Sequence, residues 1–394
     1  MLMKTINTIF MSSKLHPLFF ITLSFVCGIA LQKRPYAFTI NATIATACIA
    51  LALFGFSKKI NNMKMPLIFL LIFLLGALRY TQKINEQKTF YQKTANKIID
   101  AIATVKDIHK KEGKMRNICI TAHMEQIKLD EKEQWKPIHK AIQIYTKKNH
   151  DIKIEDKIKI KNLKIKGPKN EHFAFYLIKQ NIAATIFTPN IEHELIARPK
   201  WSASRWLTIK RKKIAQNVKR KMPIKLFSMF SSMFLGNRNI PQRYNHEIKN
   251  KFKSLGIMHF LARSGLHLII FLLLCTLMLQ FFPFYFYIKQ IIIILLSSIY
   301  LLLSWPSTSF IRAFSILLFY KLLPFFNKKP DIVHIVTTVC LLMLLHNPIL
   351  LFFLDFQLSF GLTFSLAFFS QIQIQRNRKA KLIIKKNQKK SFSI

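Results

Sequence analysis

The chain has 394 residues, 51% of them hydrophobic, and it carries 61 Lys and Arg against 17 Asp and Glu, a formal net charge of +44. Its mean hydropathy is +0.22. Soluble domains rarely combine such apolar and basic character, so the composition favours a membrane protein with basic polar segments. Because lysines occur throughout the chain, the charge indicates nucleic acid less strongly than a localised basic patch would.

The N-terminal region contains three apolar segments, each long enough to cross all or most of a bilayer core of about 30 Å. They cover residues 16–32, 37–56 and 65–78. The first follows Lys4 and Lys14 and has the form of a secretory signal peptide, but no small-residue cleavage site is clear. We therefore predict that it is retained, in an N-terminal membrane region of about three helices over residues 1–84.

The middle region, residues 85–200, shows alternating apolar residues that indicate strands. The pattern is clearest at Ile158, Ile160, Leu163 and Ile165. About five such segments predict a small β-barrel or sandwich. The lysines interleaved in "KIKIKNLKIK" would either cover its solvent face or contact DNA. Three preceding spans, with the basic N-terminus inside, predict that this domain lies outside the membrane.

The C-terminal half begins with a basic, Trp-containing segment, residues 201–257, which we predict to form amphipathic helices at the membrane surface. Five apolar segments follow and predict a transmembrane domain over residues 258–373. They cover residues 264–282, 284–304, 308–326, 331–346 and 349–371. Residues 374–394 form a basic tail.

A polar motif, "HFLARSGLHL" at residues 259–268, interrupts the start of this transmembrane domain. On an uninterrupted helix, His259, Arg263 and His267 fall within an arc of about 80°, and Gly256 lies in the same arc. Such a stripe is predicted to face a pore or a partner helix rather than lipid. Its cation and imidazoles suit a phosphate backbone, and Gly256 and Gly265 would allow close backbone approach.

Other functions of the motif are weaker alternatives. Ser264 and His267 lack a neighbouring acid that would orient a base for catalysis. His259 and His267 lack a carboxylate or cysteine to complete a metal site. We therefore expect no catalytic residue, no metal, no cofactor and no enzymatic activity. That the motif only packs and kinks helices remains a real alternative.

Three further polar residues lie in the apolar helices. Arg312 would either extend to the interface or line a polar cavity. Gln357 and Ser359 are two positions apart and cannot share a helix face, so we expect them to bond to different neighbours.

The motif "LFSMFSSMFLGNR…FKSLGIMHFLARSGLHL" resembles the signature of the ComEC/Rec2 family of DNA-uptake membrane channels. The matching positions are Leu235, Gly236, Arg238, Gly256, His259, Leu261, Ala262, Ser264, Gly265 and His267. "STSFIRAFSI" resembles the Arg-Ala helix of the family through Arg312 and Ala313. A third patch resembles its Phe-Gln-Leu-Ser-Phe element through Pro348, Phe356, Gln357, Leu358, Ser359 and Phe360.

The middle region also resembles the family, at the end of its extracytoplasmic oligonucleotide-binding (OB) fold. The matching positions are Asp156, Asn170, Phe173, Tyr176, Leu177 and Ile182. The resemblance implies a polytopic α-helical membrane protein with an inserted OB-like β-barrel. It further implies a multi-pass inner-membrane channel component that moves single-stranded DNA into the cytoplasm during natural transformation.

Two departures from the family bear on function. Arg263 stands where the family usually has an apolar residue. The His-x-His-x-Asp-His cluster of the family's metallo-β-lactamase-like domain is missing, so we expect a truncated form without that domain. A non-transporting remnant or scaffold, and a transporter of another anionic polymer or lipid, remain alternatives.

The expected partners follow from this assignment. They are single-stranded DNA and membrane lipids. Three further partners are left open: a separate nuclease, a cytoplasmic motor ATPase and a second copy of this chain.

Overall fold

The structure is a computed structural model that describes residues 17–32, 64–94, 97–110, 118–129, 134–147, 151–168, 170–236, 250–256, 265–305 and 307–391. The chain divides into two compact units. The first comprises residues 1–82 and 315–394, and the second residues 83–314. The predicted segment 37–56 lies outside the described residues.

The first unit is helical. It contains α1 (Pro17–Leu31), the first part of α2 (Lys64–Thr94), α9 (Ile332–His346) and α10 (Leu354–Ser391). Helices α1 and α2 cross closely at Gly28 and Gly76, where an added Cβ would collide with a backbone carbonyl of the other helix. Asp331 caps the start of α9 and accepts a hydrogen bond from Gln371 Nε2 of α10 at 2.8 Å.

The second unit contains a six-stranded sheet and the helices that follow it. The strands are β1 (Ile98–Lys110), β2 (Ile118–Lys128), β3 (Lys136–Thr146), β4 (Lys157–Lys164), β5 (Ile182–Phe187) and β6 (His193–Ala197), with α3 (Glu171–Lys179) between β4 and β5. Alternate residues of the strands, such as Ile142, Ile144, Ile158 and Ile160, are fully buried in one core. This alternation is the pattern seen in the sequence.

The predicted OB-like barrel is not supported, because the described sheet is not closed. Its order is β5-β3-β2-β1-β4-β6, so β5 and β6 form opposite edges, and no described strand joins them. Helix α3 follows β4 and precedes β5 in the chain. Strand β5 pairs parallel with β3 at the far edge of the sheet, whereas the other strand pairs are antiparallel. A crossover of this kind places the final strands apart instead of closing the sheet.

The remaining helices of this unit are α4 (Ala203–Lys221), α5 (Ile224–Phe230), a π-helix (Ser231–Leu235), α6 (Gly265–Gln280), α7 (Phe286–Leu303) and α8 (Thr308–Leu322), the last of which continues into the first unit.

Three described helical segments have the length and hydropathy of membrane spans: Ile68–Thr94, Phe286–Leu303 and Thr308–Phe326. The apolar helices Leu18–Leu31, Ile224–Leu235, Gly265–Gln280 and Ile332–His346 are shorter. The protein is therefore a membrane protein with at least these candidate spans.

Candidate functional site

The site is built around His267, close to the start of α6. The side chain is 2% exposed, although the helix around it is almost entirely apolar. Its ring lies edge-on to Phe234, with ring centroids 5.3 Å apart. A buried imidazole among apolar helices is costly to retain, which marks this position for a specific packing or functional role.

The π-helix Ser231–Leu235 forms one wall of the site. It ends at Gly236, whose φ of 67° lies in the left-handed region that glycine adopts without strain. Two hydrogen bonds from α7 and the residues after it hold this turn: Tyr300 Oη donates to the carbonyl of Phe234 at 2.9 Å, and Trp305 N donates to that of Leu235 at 2.8 Å. Segments of π-helix are rare and are frequently found at functional sites.

Ser231 opens this π-helix with a buried hydroxyl. The residue is fully buried, and its Oγ has no hydrogen-bond partner among the residues that the structure describes. An unsatisfied buried hydroxyl costs about 1–3 kcal/mol, so a polar partner that reached it would be bound favourably.

Aromatic rings connect the site to α6, α7 and α8. The Tyr300 ring lies 4.6 Å from that of Phe271 and 5.3 Å, edge-on, from that of Phe310. The same buried face of α7 also carries Gln290 and Ser297. The stripe of α7 that faces the protein is thus partly polar, whereas its lipid-accessible surface is apolar.

Helices α6 and α8 approach closely beside the site. A Cβ placed on Gly265 would lie 3.0 Å from Ala313 Cβ, closer than an ordinary contact. The neighbouring Arg312 is 8% exposed and donates from Nη2 to Ser309 Oγ at 3.2 Å. Glycine at position 265 therefore allows α6 and α8 to approach closely at Ala313, the residue next to Arg312.

The predicted site residues divide into three groups. Gly265, His267 and Arg312 belong to elements that meet here. His259, Arg263 and Ser264 lie outside the described residues. Gln357 and Ser359 belong to α10 in the first unit. The exposed Gln357 side chain donates a hydrogen bond to the Leu351 carbonyl at 2.8 Å. The backbone carbonyl of Ser359 accepts one from the Thr363 hydroxyl.

The expectation that Gly256 shares one uninterrupted helix with His267 is wrong. Its φ is +69°, a left-handed conformation that ends a helix. Sequence reasoning also missed Ser231, Phe234 and Tyr300. The first two lie inside the quoted motif, but nothing in its spacing predicts a π-helix, and Tyr300 has no distinguishing pattern in an apolar segment.

Residues 233–393 match the family model described as Competence protein. This part of the chain is the ComEC/Rec2 family domain. The match contains the π-helix from Met233 onward, His267 and Arg312, so it covers these parts of the site, whereas Ser231 and the sheet lie outside the match. The family suggests a role in DNA uptake. No curated protein and no solved structure shows significant similarity to the chain.

Three of the lysines of β4 lie close to glutamates. Lys157 Nζ lies 2.7 Å from Glu125 Oε2, and Lys161 is paired with Glu194. Lys159 lies 5.8 Å from the centre of the Trp135 ring and 4.0 Å from a Glu194 carboxylate oxygen. Glu125 and Glu194 thus offset only part of the positive charge of the four β4 lysines.

A buried ion cluster ties the sheet to α4. The fully buried Asp156 accepts from Arg198 Nη2 and Arg205 Nη2, each at 2.8 Å, and from the backbone N–H of Lys153 at 2.9 Å. Farther along α4, Arg211 Nε donates to the carbonyl of Leu302 in α7 at 2.7 Å. Helix α4 thus connects the sheet to the helix that carries Tyr300.

Proposed function

We propose that this protein is an inner-membrane, multi-pass channel component that moves single-stranded DNA into the cytoplasm during natural transformation, without catalysing a reaction itself. One observation carries the proposal. Three segments that reach into the family match meet at the start of α6, where His267 is buried: Phe234 of the π-helix lies against His267, and Ala313 of α8 approaches Gly265.

The chemistry of the site supports a polar path. Apolar helices retain polar groups at a cost of several kcal/mol, and such groups face a cavity or one another rather than lipid. Here an imidazole, an unsatisfied hydroxyl and a guanidinium lie on helices that meet, at His267, Ser231 and Arg312. Each can donate a hydrogen bond to a phosphate oxygen, and the guanidinium adds a permanent positive charge.

The sheet has a different role in this proposal. Because Lys157 and Lys161 are paired with glutamates, a DNA strand that bound there would have to displace these two exposed ion pairs. We therefore propose that the sheet supports the competence domain through Asp156 and α4, on the outer side of the membrane. A separate nuclease would supply the single strand and a cytoplasmic ATPase the motive force.

The test is the uptake of labelled single-stranded DNA per cell, normalised to membrane-inserted protein. His267→Leu should abolish uptake and leave insertion unchanged, because leucine increases helix hydrophobicity. His346→Leu is the matched control, since His346 is exposed at the end of an apolar helix outside this site. Normal uptake by His267→Leu would mean that the site serves only to pack the helices together.

Arg263 provides an independent arm of the same experiment. If a fixed charge at this position contacts the strand, Arg263→Leu should impair uptake more than Arg263→Lys. Equal, wild-type uptake by both variants would contradict a conducting role for the motif.

A further inference from the structure

A crevice between α4 and the β1–β2 hairpin has the features of a lipid site. Its volume is about 320 Å³, within the range of small-molecule sites. Its apolar lining consists of Ile108, Ile118, Ile120, Ile152, Ile154 and Ile209. The first five belong to the sheet and its connecting loop, whereas Ile209 lies on α4 and is 58% exposed. A wall of aliphatic side chains suits an acyl chain, and it offers no aromatic ring on which a base could stack.

The same crevice is lined by cations. Lys153, Arg205 and Lys212 complete its lining together with Thr208. Arg205 is engaged by Asp156 and by the carbonyls of Ile154 and Pro199. Lys153 and Lys212 are exposed. Asp107, which acts electrostatically with Lys212, lies 2.7 Å from Nε2 of His109. An anionic headgroup is therefore complementary to this crevice, whereas a zwitterionic one is much less so.

The position of the crevice points to the bilayer as the source of the ligand. Arg211, adjacent to Lys212 on α4, donates to the carbonyl of Leu302 at the end of the candidate span Phe286–Leu303. Its guanidinium also lies 5.9 Å from the centre of the Trp305 ring. Trp206, on the other side of α4, is 52% exposed. Arginine and tryptophan at the end of a span are typical of the headgroup level.

We propose that this crevice binds an anionic phospholipid, with an acyl segment against the isoleucines and its phosphate between Lys153 and Lys212. The lipid fastens the sheet and α4 to the membrane surface at the end of α7. The proposal depends only on the protein being embedded in a membrane and does not depend on DNA transport.

The test uses the full chain in nanodiscs of phosphatidylcholine doped with phosphatidylglycerol that carries a photoreactive diazirine on its acyl chain. Crosslinks are mapped by mass spectrometry and should fall on the crevice residues, such as Ile120 and Ile154. Thr208→Trp, which fills the crevice from its helix side, should remove them. Each lysine near an anionic headgroup contributes about a fivefold preference, so Lys153→Glu with Lys212→Glu should lower labelling by roughly 25-fold.

The matched control is Lys210→Glu with Lys213→Glu, which makes the same charge change on α4 at positions outside the crevice. It should label the crevice as the wild type does. An equal loss of labelling in this control would mean that the lipid is attracted only by the overall positive charge of the α4 surface. Equal labelling by a zwitterionic probe, crosslinks confined to the membrane helices, or competition by single-stranded DNA would each overturn the proposal.

Discussion

Replacing Asp156 by asparagine tests whether the buried ion cluster holds the sheet to α4. The carboxylate is fully buried and accepts charge-assisted hydrogen bonds from two guanidiniums. Asparagine has nearly the same shape but no charge and only one acceptor oxygen. It can keep the hydrogen bond from the Lys153 N–H, but Arg205 loses its carboxylate partner and Arg198 keeps only the exposed Asp151, whose Oδ2 lies 3.4 Å from its Nη1.

The expected loss is large. Breaking a buried ion pair by removing one partner costs about 3–5 kcal/mol, because the remaining charge is left uncompensated. A domain of ordinary stability unfolds at a cost of only about 5–15 kcal/mol. Asp156→Asn should therefore remove a major part of the stability of the sheet, and the start of α4 should separate from it.

Hydrogen exchange of the full chain in detergent micelles measures this effect. Amides of β4 and of the first turns of α4 should lose protection, whereas those of α9 in the other unit should not. Glu194→Gln is the control, because it breaks the exposed pair with Lys161 on the same sheet and should change exchange very little. If Asp156→Asn altered the exchange of β4 no more than this control, the cluster would not be what holds the two elements together.

Three further predictions follow from other parts of the molecule. Gly265→Val should push α6 from Ala313 and lower DNA uptake while the protein still inserts; unchanged uptake would show that the close approach is dispensable. The hydrogen bond from Lys157 lowers the pKa of the Glu125 carboxyl. The small contribution of the ionised Glu125 carboxyl to sheet stability is therefore present above its ordinary pKa, near 4.3, and is lost as the pH falls through the lowered pKa. Glu125→Gln should flatten this acid limb of the stability curve, measured by exchange of β2 amides, and an unaltered limb would assign it to other carboxyls. Protease added to intact spheroplasts should cut within residues 148–157, and cleavage only after lysis would place the sheet inside.

The strands were predictable and their arrangement was not. The alternation of apolar residues at Ile158 and Ile160 indicates which side chains enter a core, because successive side chains of a strand point to opposite faces of the sheet. Barrel closure depends instead on which strands pair. That is decided by the α3 crossover, which takes the chain to the far edge of the sheet, and by the parallel pairing of β5 with β3. Alternation carries no information about either.

The site was predictable at His267 and Arg312, because a polar residue in an apolar segment is conspicuous and the resemblance placed both in family motifs. Ser231 and Tyr300 could not be selected in the same way. Hydroxyl-bearing residues are common in these helices, and most of them, such as Ser297, bond to a carbonyl one turn earlier. Only the three-dimensional contacts distinguish Tyr300, which donates to the π-helix, and Ser231, whose hydroxyl has no partner in the described part of the chain.

Helix α4 makes the sheet and the site mechanically dependent on each other. Arg205, near its start, is bound to Asp156 of the sheet, and Arg211 is bound to the end of α7. These two arginines are six residues apart, about 9 Å along a helix, which is too short a distance for bending to absorb a displacement. Tyr300, one turn before the end of α7, donates to the π-helix beside His267. A force on the sheet is therefore transmitted to the wall of the site through the hydrogen bonds of Arg205, Arg211 and Tyr300. None of these three contacts involves the lysines of β4.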